Sequence, residues 1–304
     1  DELVLCLGAR PRRLGLPGAD LAGVHYLRDA ADIEAIREGL ATTNHAVIVG
    51  AGYIGLETAA SLRNLGITVS VLEAADRVLQ RVTAPEVSAF YDRVHREEGV
   101  DIRVGVGVTA LEGESHVRGV RLADGDHIAA ELVIIGIGVV PNVELAQDAG
   151  LAVDDGIIID AYGRTSDPNI YAAGDCANYF DARYDCRLRL ESVPNAVEQA
   201  KSVAAAVCGK EKGISALPWF WSDQYDLKLQ IVGLNTGYDE VVLSGDPRQD
   251  RDFTCFYLRH GVLIAADCVN RPRDFMLTKR LLAQGAPLLG RAELDVPDLT
   301  DVRG

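Results

Sequence analysis

The sequence lacks the patterns that mark several large classes of protein. Its six cysteines form no C-x-x-C pair and its six histidines form no H-x-x-x-H pair, so their spacing favours neither a metal site nor a local dithiol. No apolar run reaches the roughly 18 residues of a membrane-spanning helix. Acidic residues outnumber basic ones by 45 to 30, and the net charge of −15 argues against a general nucleic-acid-binding surface. We therefore expect a cytoplasmic protein with reduced cysteines, no metal site, no membrane span and no nucleic-acid partner.

Glycines and β-branched residues, by contrast, follow a regular plan. The 304 residues are enough for two or three domains, and strand and helix signals alternate along them. Residues 45–50 form a short β-branched run, residues 54–65 have helical spacing, and residues 67–73 form a second β-branched run. This order predicts a βαβ unit with a right-handed crossover.

Further strands and helices are predicted on both sides of that unit. The set before Pro218 comprises a buried strand at residues 1–8, helices at 30–40, 85–98 and 194–208, short strands within 100–135, and strands at 131–138, 156–160 and 169–175. Beyond Pro218 the pattern predicts a strand near Val241, a hairpin over 253–268 that turns at His260-Gly261, and a helix at 275–282. That last stretch is typical of a separate α+β domain.

The most informative motif is G-A-G-Y-I-G, from Gly50 to Gly55. A bare G-x-G-x-x-G is a weak signal, but this one follows a predicted strand and opens a predicted helix. Gly50 allows the tight turn, Gly52 lets a pyrophosphate approach the backbone, and Gly55 lets the helix pack closely on the sheet. The helix N-terminus offers N–H groups and a partial positive charge to the phosphates. The motif therefore predicts a dinucleotide site.

Glu73 indicates which dinucleotide binds. In such sites an acidic residue about 20 positions after the motif, at the end of the second strand, accepts hydrogen bonds from the adenosine ribose hydroxyls. Its carboxylate would also repel a 2′-phosphate. We therefore expect NAD rather than NADP.

A second nucleotide signature lies further along the chain. T-S-D-P-N-I-Y-A-A-G-D ends in Asp175, a strand-end carboxylate that can hydrogen-bond the hydroxyls of a sugar alcohol chain. The helix after Pro194 would direct its positive end at a neighbouring group. A reduced flavin carries negative charge at its N1/O2 edge, so a helix N-terminus there would stabilise the reduced state.

Seven motifs together resemble a known family. The chain contains, in order, G-A-R-P-R, G-A-G-Y-I-G-L-E, R-V-T-A-P, G-I-G-V-V-P-N, A-A-G-D-C-A, E-S-V-P-N-A-V-E-Q-A and P-W-F-W-S-D-Q-Y. This series resembles the FAD-dependent ferredoxin reductases, the family of putidaredoxin reductase and biphenyl dioxygenase ferredoxin reductase, and the last motif is its most specific part. The resemblance implies FAD and NAD as cofactors, and electron transfer from NADH through FAD to a [2Fe–2S] ferredoxin, or a rubredoxin, serving an oxygenase. Lys201, Lys279 and Arg280 are candidates for steering an acidic ferredoxin.

The resemblance also implies roles for individual residues. Three are catalytic candidates: Tyr53 would cover the nicotinamide side of the flavin, Glu191 would lie near the nicotinamide carboxamide, and Trp221 would approach the flavin from the C-terminal domain. Arg28 would contact FAD, and Asp175 would hold its ribitol. The full set of expected cofactor-binding residues is Arg28, Gly50, Gly52, Gly55, Glu57, Glu73, Gly138, Asp175 and Val193, the last through its backbone N–H.

The chain departs from the family pattern in two places. Cys6-Leu7-Gly8 stands where the family usually has A-T-G, which removes a threonine contact. The family also has a first G-x-G-x-x-G, for the FAD pyrophosphate, well before G-A-R-P-R, whereas these 304 residues contain only the NAD motif. We therefore expect an N-terminally truncated member of the family that does not retain FAD tightly by itself.

The expected fold is α/β, with Rossmann-like doubly wound nucleotide-binding domains and a C-terminal α+β domain. Residues 1–28 and 139–213 would form an incomplete FAD domain, residues 29–138 a complete NAD domain, and residues 214–304 the C-terminal reductase domain. The protein would be a monomer or a weak homodimer. Two alternatives remain open: a flavin disulfide reductase of the same superfamily, whose cysteine pair would lie outside these residues, and a non-catalytic NAD-binding fragment.

Overall fold

A computed structural model describes residues 1–284 and divides the chain into two compact units. The first unit consists of residues 1–10, 139–220 and 232–234, and the described residues of the second are 11–138, 221–231 and 235–284. The second unit therefore combines the predicted NAD-binding region with most of the described C-terminal region.

The elements follow the predicted alternation. Within the described residues the helices are α1 (Ala30–Leu40), α2 (Tyr53–Asn64), α3 (Pro85–Glu97), α4 (Glu144–Asp148), α5 (Val193–Val207) and α6 (Pro272–Gln284). The strands up to residue 141 are β1 (Leu3–Leu5), β2 (Ala9–Pro11), β3 (Val24–Tyr26), β4 (His45–Val49), β5 (Thr68–Leu72), β6 (Val100–Arg103), β7 (Val108–Gly113), β8 (Val117–Leu122), β9 (His127–Ala129), β10 (Leu132–Ile135) and β11 (Val139–Pro141). The later strands are β12 (Ile157–Ile159), β13 (Ile170–Ala172), β14 (Ala177–Asp181), β15 (Cys186–Leu188), β16 (Trp219–Gln224), β17 (Leu227–Gly233), β18 (Glu240–Ser244), β19 (Phe253–Arg259) and β20 (Val262–Val269).

A five-stranded parallel sheet organises the second unit, in the order β3-β10-β4-β5-β6. The predicted βαβ unit is confirmed as β4-α2-β5, and its strands are buried along most of their length because helices cover a parallel sheet. The strand order reverses between β4 and β10, and ligands bind at the carboxyl ends of strands at such a switch point. β3 lies in this sheet, although its residues fall in the range 1–28 that we assigned to the FAD domain.

The C-terminal region forms a second sheet, in the order β16-β17-β20-β19-β18, and most of its residues belong to the same unit. The predicted hairpin is confirmed: β19 and β20 pair antiparallel around His260 and Gly261, whose φ angles are +54° and +74°. The predicted strand near Val241 is β18, and the predicted helix is α6. Residues 285–304, the end of the predicted C-terminal domain, lie outside the described residues.

Small sheets and two helices build the first unit. β1 pairs with β13 in parallel, β2 pairs with β11, and β12, β14 and β15 form a three-stranded sheet. The prediction of one buried strand over residues 1–8 is wrong, because β1 has three residues and only Leu5 is buried, whereas Leu3 and Val4 are 50% and 41% exposed. Throughout residues 1–284 no helix is long and apolar enough to cross a membrane.

Candidate functional site

The glycine motif lies at the carboxyl end of β4, beside the carboxyl end of β10. Gly50 has a φ of +106°, and a Cβ on it would overlap the carbonyl of Gly136. A Cβ on Gly55 would overlap the carbonyl oxygen of Gly50. Both glycines are therefore required by the protein itself, for the turn and for the close approach of α2 to β4.

Gly52 is different, because protein packing does not explain it. A Cβ on Gly52 would meet no atom of the described residues within 4 Å, and its φ is an ordinary −78°. Gly52 is the N-cap of the 12-residue helix α2, and it offers no side chain to cap the first N–H groups. Open space in front of uncapped N–H groups and the positive helix end fits an anionic pyrophosphate.

Glu73 holds the glycine loop from the end of β5. Its Oε2 accepts the N–H of Ala51 at 2.7 Å, and its Oε1 accepts the N–H of Ala75 at 2.9 Å. A carboxylate has about four acceptor positions, so two remain for ribose hydroxyls. Arg77 is the cation nearest along the chain, but its Nη2 donates to the carbonyls of Gln80 and Thr83 at 3.1 and 2.9 Å. Because these two carbonyls hold its guanidinium group, Arg77 is not positioned as a ligand for a 2′-phosphate.

Gly138 and Arg28 lie at the same edge of the parallel sheet. Gly138 follows β10, the strand that pairs with β4, and has a φ of +94°. Arg28 follows β3, which pairs with the other side of β10, and its side chain is exposed. Asp29 caps α1 directly after it, and the backbone N–H of Arg28 donates to Asp32 at 2.8 Å. The structure thus brings both predicted residues to the carboxyl edge that carries the glycine motif.

Tyr53 and Glu57 lie one turn apart at the start of α2. Burial raises the pKa of the Tyr53 phenol well above its usual range, and the charges of Asp267 and Glu57 raise it further, so Tyr53 stays protonated. Burial also raises the pKa of Glu57, and a hydrogen bond that Ser222 donates to its Oε1 at 2.5 Å opposes that rise.

Trp221 lies on the exposed face of β16. The side chain of Trp221 is 45% exposed, whereas Ser222 and Gln224 are each 1% exposed, as strand alternation requires. Because Ser222 binds Glu57, β16 is fastened to α2. The structure therefore brings the strand of Trp221 to the helix that carries Tyr53.

Asp175, Glu191 and Val193 belong to the first unit and surround the N-terminus of α5. Ser192 caps α5, and Val193, its first residue, is 64% exposed. Arg189, whose side chain is 10% exposed, pairs with Glu191 at 2.6 Å and donates to the carbonyl of Asp175 at 3.2 Å. An exposed helix N-terminus beside a strand-end carboxylate fits the ribitol and the anionic edge of a flavin.

Several residues of the site were missed by sequence reasoning. Arg189 joins two predicted residues, and Gln199, fully buried on α5, accepts the N–H of Gly174 at 2.7 Å and so anchors the turn that carries Asp175. Ser222 and Gln224 stand in P-W-F-W-S-D-Q-Y, and Gln199 in E-S-V-P-N-A-V-E-Q-A, so the motifs contained the signal. Spacing alone does not show which partner a buried amide or hydroxyl meets.

Two protein-family models match the chain. Residues 1–200 match the pyridine nucleotide-disulphide oxidoreductases, and residues 219–298 match the reductase C-terminal domain. The chain belongs to the pyridine nucleotide-disulphide oxidoreductase family. The second match distinguishes it from members of that family without such a C-terminal domain.

The relatives of this family member include ferredoxin and rubredoxin reductases. Putidaredoxin reductase of Pseudomonas putida is 47% identical over 294 residues, which cover 95% of this chain and 69% of that protein. Rubredoxin-NAD⁺ reductase of Pseudomonas putida is 36% identical, over 90% of this chain and 71% of that protein. Among solved structures, a ferredoxin reductase from Rhodopseudomonas palustris has a TM-score of 0.95 and 42% identity, covering 98% of this chain and 74% of that one.

A covalent putidaredoxin reductase–putidaredoxin complex is a further structural relative, with a TM-score of 0.90 and 47% identity over 93% of this chain and 69% of that chain. These findings confirm the predicted family and the α/β fold with a C-terminal reductase domain. The protein is accordingly an oxidoreductase of a family that uses FAD and NAD(H).

Proposed function

We propose that this protein passes electrons from NADH through FAD to a [2Fe–2S] ferredoxin or a rubredoxin that serves an oxygenase. The observation that carries the proposal is the open N-terminus of α2, where Gly52 leaves space that no described side chain fills. Putidaredoxin reductase and rubredoxin-NAD⁺ reductase, which are 47% and 36% identical to this chain, support the choice of acceptor.

The residues divide the work of holding the two cofactors. At the NAD site, the N–H groups of α2 hold the pyrophosphate, Glu73 holds the adenosine ribose, and protonated Tyr53 covers the nicotinamide side. At the flavin site, Asp175 would accept from the ribitol hydroxyls, and the N-terminus of α5 at Val193 would stabilise the anionic edge of the ring. A bound FAD would supply hydride acceptance and single-electron transfer, and these residues would orient and tune it.

Glu191 in the first unit and Trp221 in the second have separate proposed roles. Arg189 holds Glu191 at 2.6 Å, which leaves the second carboxylate oxygen to receive the amide of a nicotinamide. Trp221 presents a half-exposed ring on the C-terminal sheet, where an iron–sulfur partner would approach. Arg28 and Gly138 flank the glycine motif at the sheet edge. Glu57 lies on α2, the helix that follows this motif, and joins it to β16 through Ser222.

The proposed domain plan follows the sequence analysis. Residues 1–28 and 139–213 contribute to the FAD domain, residues 29–138 form the NAD domain, and residues 214–304 form the C-terminal reductase domain, with β3 pairing into the NAD sheet. We also propose a cytoplasmic location, where NADH is available as the electron donor.

A disulfide reductase is the main alternative, and its cysteine pair would lie outside these residues, because the cysteines of this chain supply none. All six lie within the described residues and none forms a disulfide; Cys176, Cys255 and Cys268 are buried. Burial raises the pKa of each of these three thiols, which makes them poor nucleophiles. The discriminating assay compares NADH-driven reduction of a [2Fe–2S] ferredoxin, a rubredoxin and a small disulfide. Reduction of the disulfide alone would refute the proposal.

The NAD site is tested by Gly52→Ala with Gly15→Ala as its matched control. A methyl group at either position meets no described atom within 4 Å, so both variants should fold, with free energies of unfolding within about 1 kcal/mol of the wild type. Only the methyl group of Gly52→Ala occupies the pyrophosphate space, so its NADH affinity should fall by roughly ten-fold or more. Equal NADH affinities for the two variants, measured by titration, would show that no dinucleotide approaches Gly52.

A further inference from the structure

A chain of hydrogen bonds runs from the C-terminal sheet to α2 within the second unit. The hydroxyl of Tyr225, in the turn after β16, lies 3.2 Å from Nδ1 of His95 on α3. Nε2 of His95 lies 2.8 Å from Oε1 of Gln224, and Nε2 of Gln224 donates to Oγ of Ser222 at 3.0 Å. Ser222 then donates to Oε1 of Glu57 at 2.5 Å.

Every donor in this chain points toward Glu57. The Oε1 atom of Gln224 can only accept, so Nε2 of His95 carries a proton. Burial lowers the pKa of His95 and outweighs the opposing effect of the hydrogen bond that His95 donates to Gln224, so the ring is neutral at pH 7 and Nδ1 accepts from Tyr225. The partners thus assign one tautomer to His95 and one orientation to the amide of Gln224.

Other ionisable groups near Glu57 leave this direction unchanged. Tyr53 on α2 and Tyr91 on α3 have pKa values raised by burial well above the usual range, so both stay protonated. Asp223 on β16 raises the pKa of Glu57, and Arg37 on α1 lines the same groove as Glu57. None of these groups replaces Ser222 as the hydrogen-bond donor that the structure gives to Glu57.

This series of hydrogen bonds holds the face of β16 that lies opposite to Trp221. Ser222 and Gln224 are buried on one face of the strand, and Trp221 lies on the other. Fastening the buried face to α2 and α3 sets the position of the backbone, and therefore the position of the Trp221 ring relative to α2.

We propose that Gln224 and His95 are positioning residues, which aim the hydroxyl of Ser222 at Glu57 and so hold Trp221 in place for electron transfer to the acceptor. The proposal rests on the proposed function for the role of Trp221, but the hydrogen-bond chain does not. Its two parts can therefore be tested separately.

The first test reads the position of Trp221 without a cofactor or an acceptor. The chain has two tryptophans, so in a Trp219→Phe background all tryptophan fluorescence comes from Trp221. Gln224→Met keeps the length of the side chain and removes both of its hydrogen-bonding groups. We expect acrylamide quenching of Trp221 to rise at least about two-fold, since a released strand exposes more of the ring. The matched control is Thr254→Val, which removes a buried hydroxyl bonded to Asp274 at 2.7 Å in the same sheet.

Kinetics provide the second test. In the flavin-loaded enzyme, Gln224→Met should lower ferredoxin reduction roughly ten-fold or more, because a misplacement of about 1 Å far from the chemistry can cost about 10²-fold. Reduction of a small dye should stay at the level of the Thr254→Val control. Ser222→Ala should behave like Gln224→Met in the quenching measurement, and Ser222→Thr, which keeps the hydroxyl, should restore the wild-type value.

The outcomes separate the two ideas. The positioning role would be overturned if Gln224→Met and Thr254→Val had equal acrylamide quenching and equal ratios of ferredoxin reduction to dye reduction. It would also be overturned if a folded Ser222→Thr behaved like Ser222→Ala. If the variants do not fold, ¹⁵N NMR of the histidines in the unchanged protein decides: a charged His95 or a proton on its Nδ1 at pH 7 overturns the proposal. A wild-type protein that reduces no ferredoxin would refute the proposed function, while the quenching result still decides the position of Trp221.

Discussion

Glu73 performs two tasks with one carboxylate. It accepts two backbone N–H groups, from Ala51 in the glycine loop and from Ala75, and it places negative charge where the adenosine ribose would lie. The first task fixes the loop. Under the proposed function the second would select NADH, because a 2′-phosphate would meet a like charge in a partly desolvated site. Coenzyme choice and loop geometry would then be coupled at this residue.

Glu73→Gln should relax the preference for NADH. The amide keeps the shape and one acceptor but loses the charge, so the ratio of kcat/KM for NADH to that for NADPH should fall by about ten-fold. Asp76→Asn, an exposed acid three residues further on, is the charge-matched control and should leave the ratio unchanged. A wild-type enzyme that uses NADPH as well as NADH would show that this interpretation of Glu73 is wrong.

Local spacing explains which of these residues could be predicted. Gly50, Gly55 and Glu73 follow from the order of glycine, strand, helix and acid along a short stretch of sequence. Arg189 and Gln199 could not be predicted, because their roles depend on partners that the fold brings close: Arg189 reaches Asp155, 34 positions away, and Gln199 reaches Gly174, 25 positions away. A single sequence carries no local mark of such pairs.

At the scale of elements, the hairpin of β19 and β20 is tied to the start of α3 by one buried tyrosine. The hydroxyl of Tyr257 donates to Asp267 at 2.5 Å and accepts the N–H of Ala84, the N-cap of α3, at 3.0 Å. Burial raises the pKa of Asp267 from 3.8 to about 7, and the hydrogen bond from Tyr257 opposes part of that rise. The C-terminal sheet is thus joined to the start of α3 through a hydroxyl group, and the carboxyl group that this hydroxyl binds has a pKa of about 7.

This carboxyl group should make stability depend on pH. Between about pH 4 and pH 7 the unfolded chain has lost the Asp267 proton and the folded chain has kept it, so the free energy of unfolding falls as pH rises through that window and is level above it. At about 1.4 kcal/mol per pH unit, the fall from pH 5 to pH 7 is about 2–3 kcal/mol. Asp267→Asn cannot ionise, so urea unfolding of the variant should lack this component. Parallel curves for the two proteins would contradict the buried, neutral carboxyl.

The sequence patterns failed to predict several elements, among them β3, α4, β14, β16 and β17. The buried positions of β16 hold polar residues, Ser222 and Gln224, and one of its two exposed positions holds Trp221, so its burial does not follow its hydrophobicity. Hydrogen bonds to other elements, rather than apolar side chains, hold the buried positions Ser222 and Gln224. The spacing of apolar residues along the sequence does not indicate such bonds. The β4-α2-β5 unit was predictable for the opposite reason, since its apolar strands and helix follow standard periods.

At the scale of the whole molecule, a net charge of −15 would repel an acidic partner. A local basic surface can still attract that partner, because steering depends on the charge near the docking face rather than on the total charge. Helix α6 offers one: Arg273 and Arg280 are exposed, and Met276 between them is 62% exposed. Spacings of three and four residues place the three side chains on one face of the helix.

Arg280→Glu should therefore slow reduction of an acidic ferredoxin and spare a small dye. We expect kcat/KM for the ferredoxin to fall by about ten-fold at low salt, mainly through slower association, because charges at a docking face act chiefly on encounter. The loss should shrink as salt rises, since the screening length drops from about 10 Å at 0.1 M to about 3 Å at 1 M. Arg118→Glu makes the same charge change on an exposed residue of β8 and is the matched control. If both variants lose equally, or if the dye reaction falls with the ferredoxin reaction, the defect lies in total charge or in the cofactor sites, and α6 does not dock the acceptor.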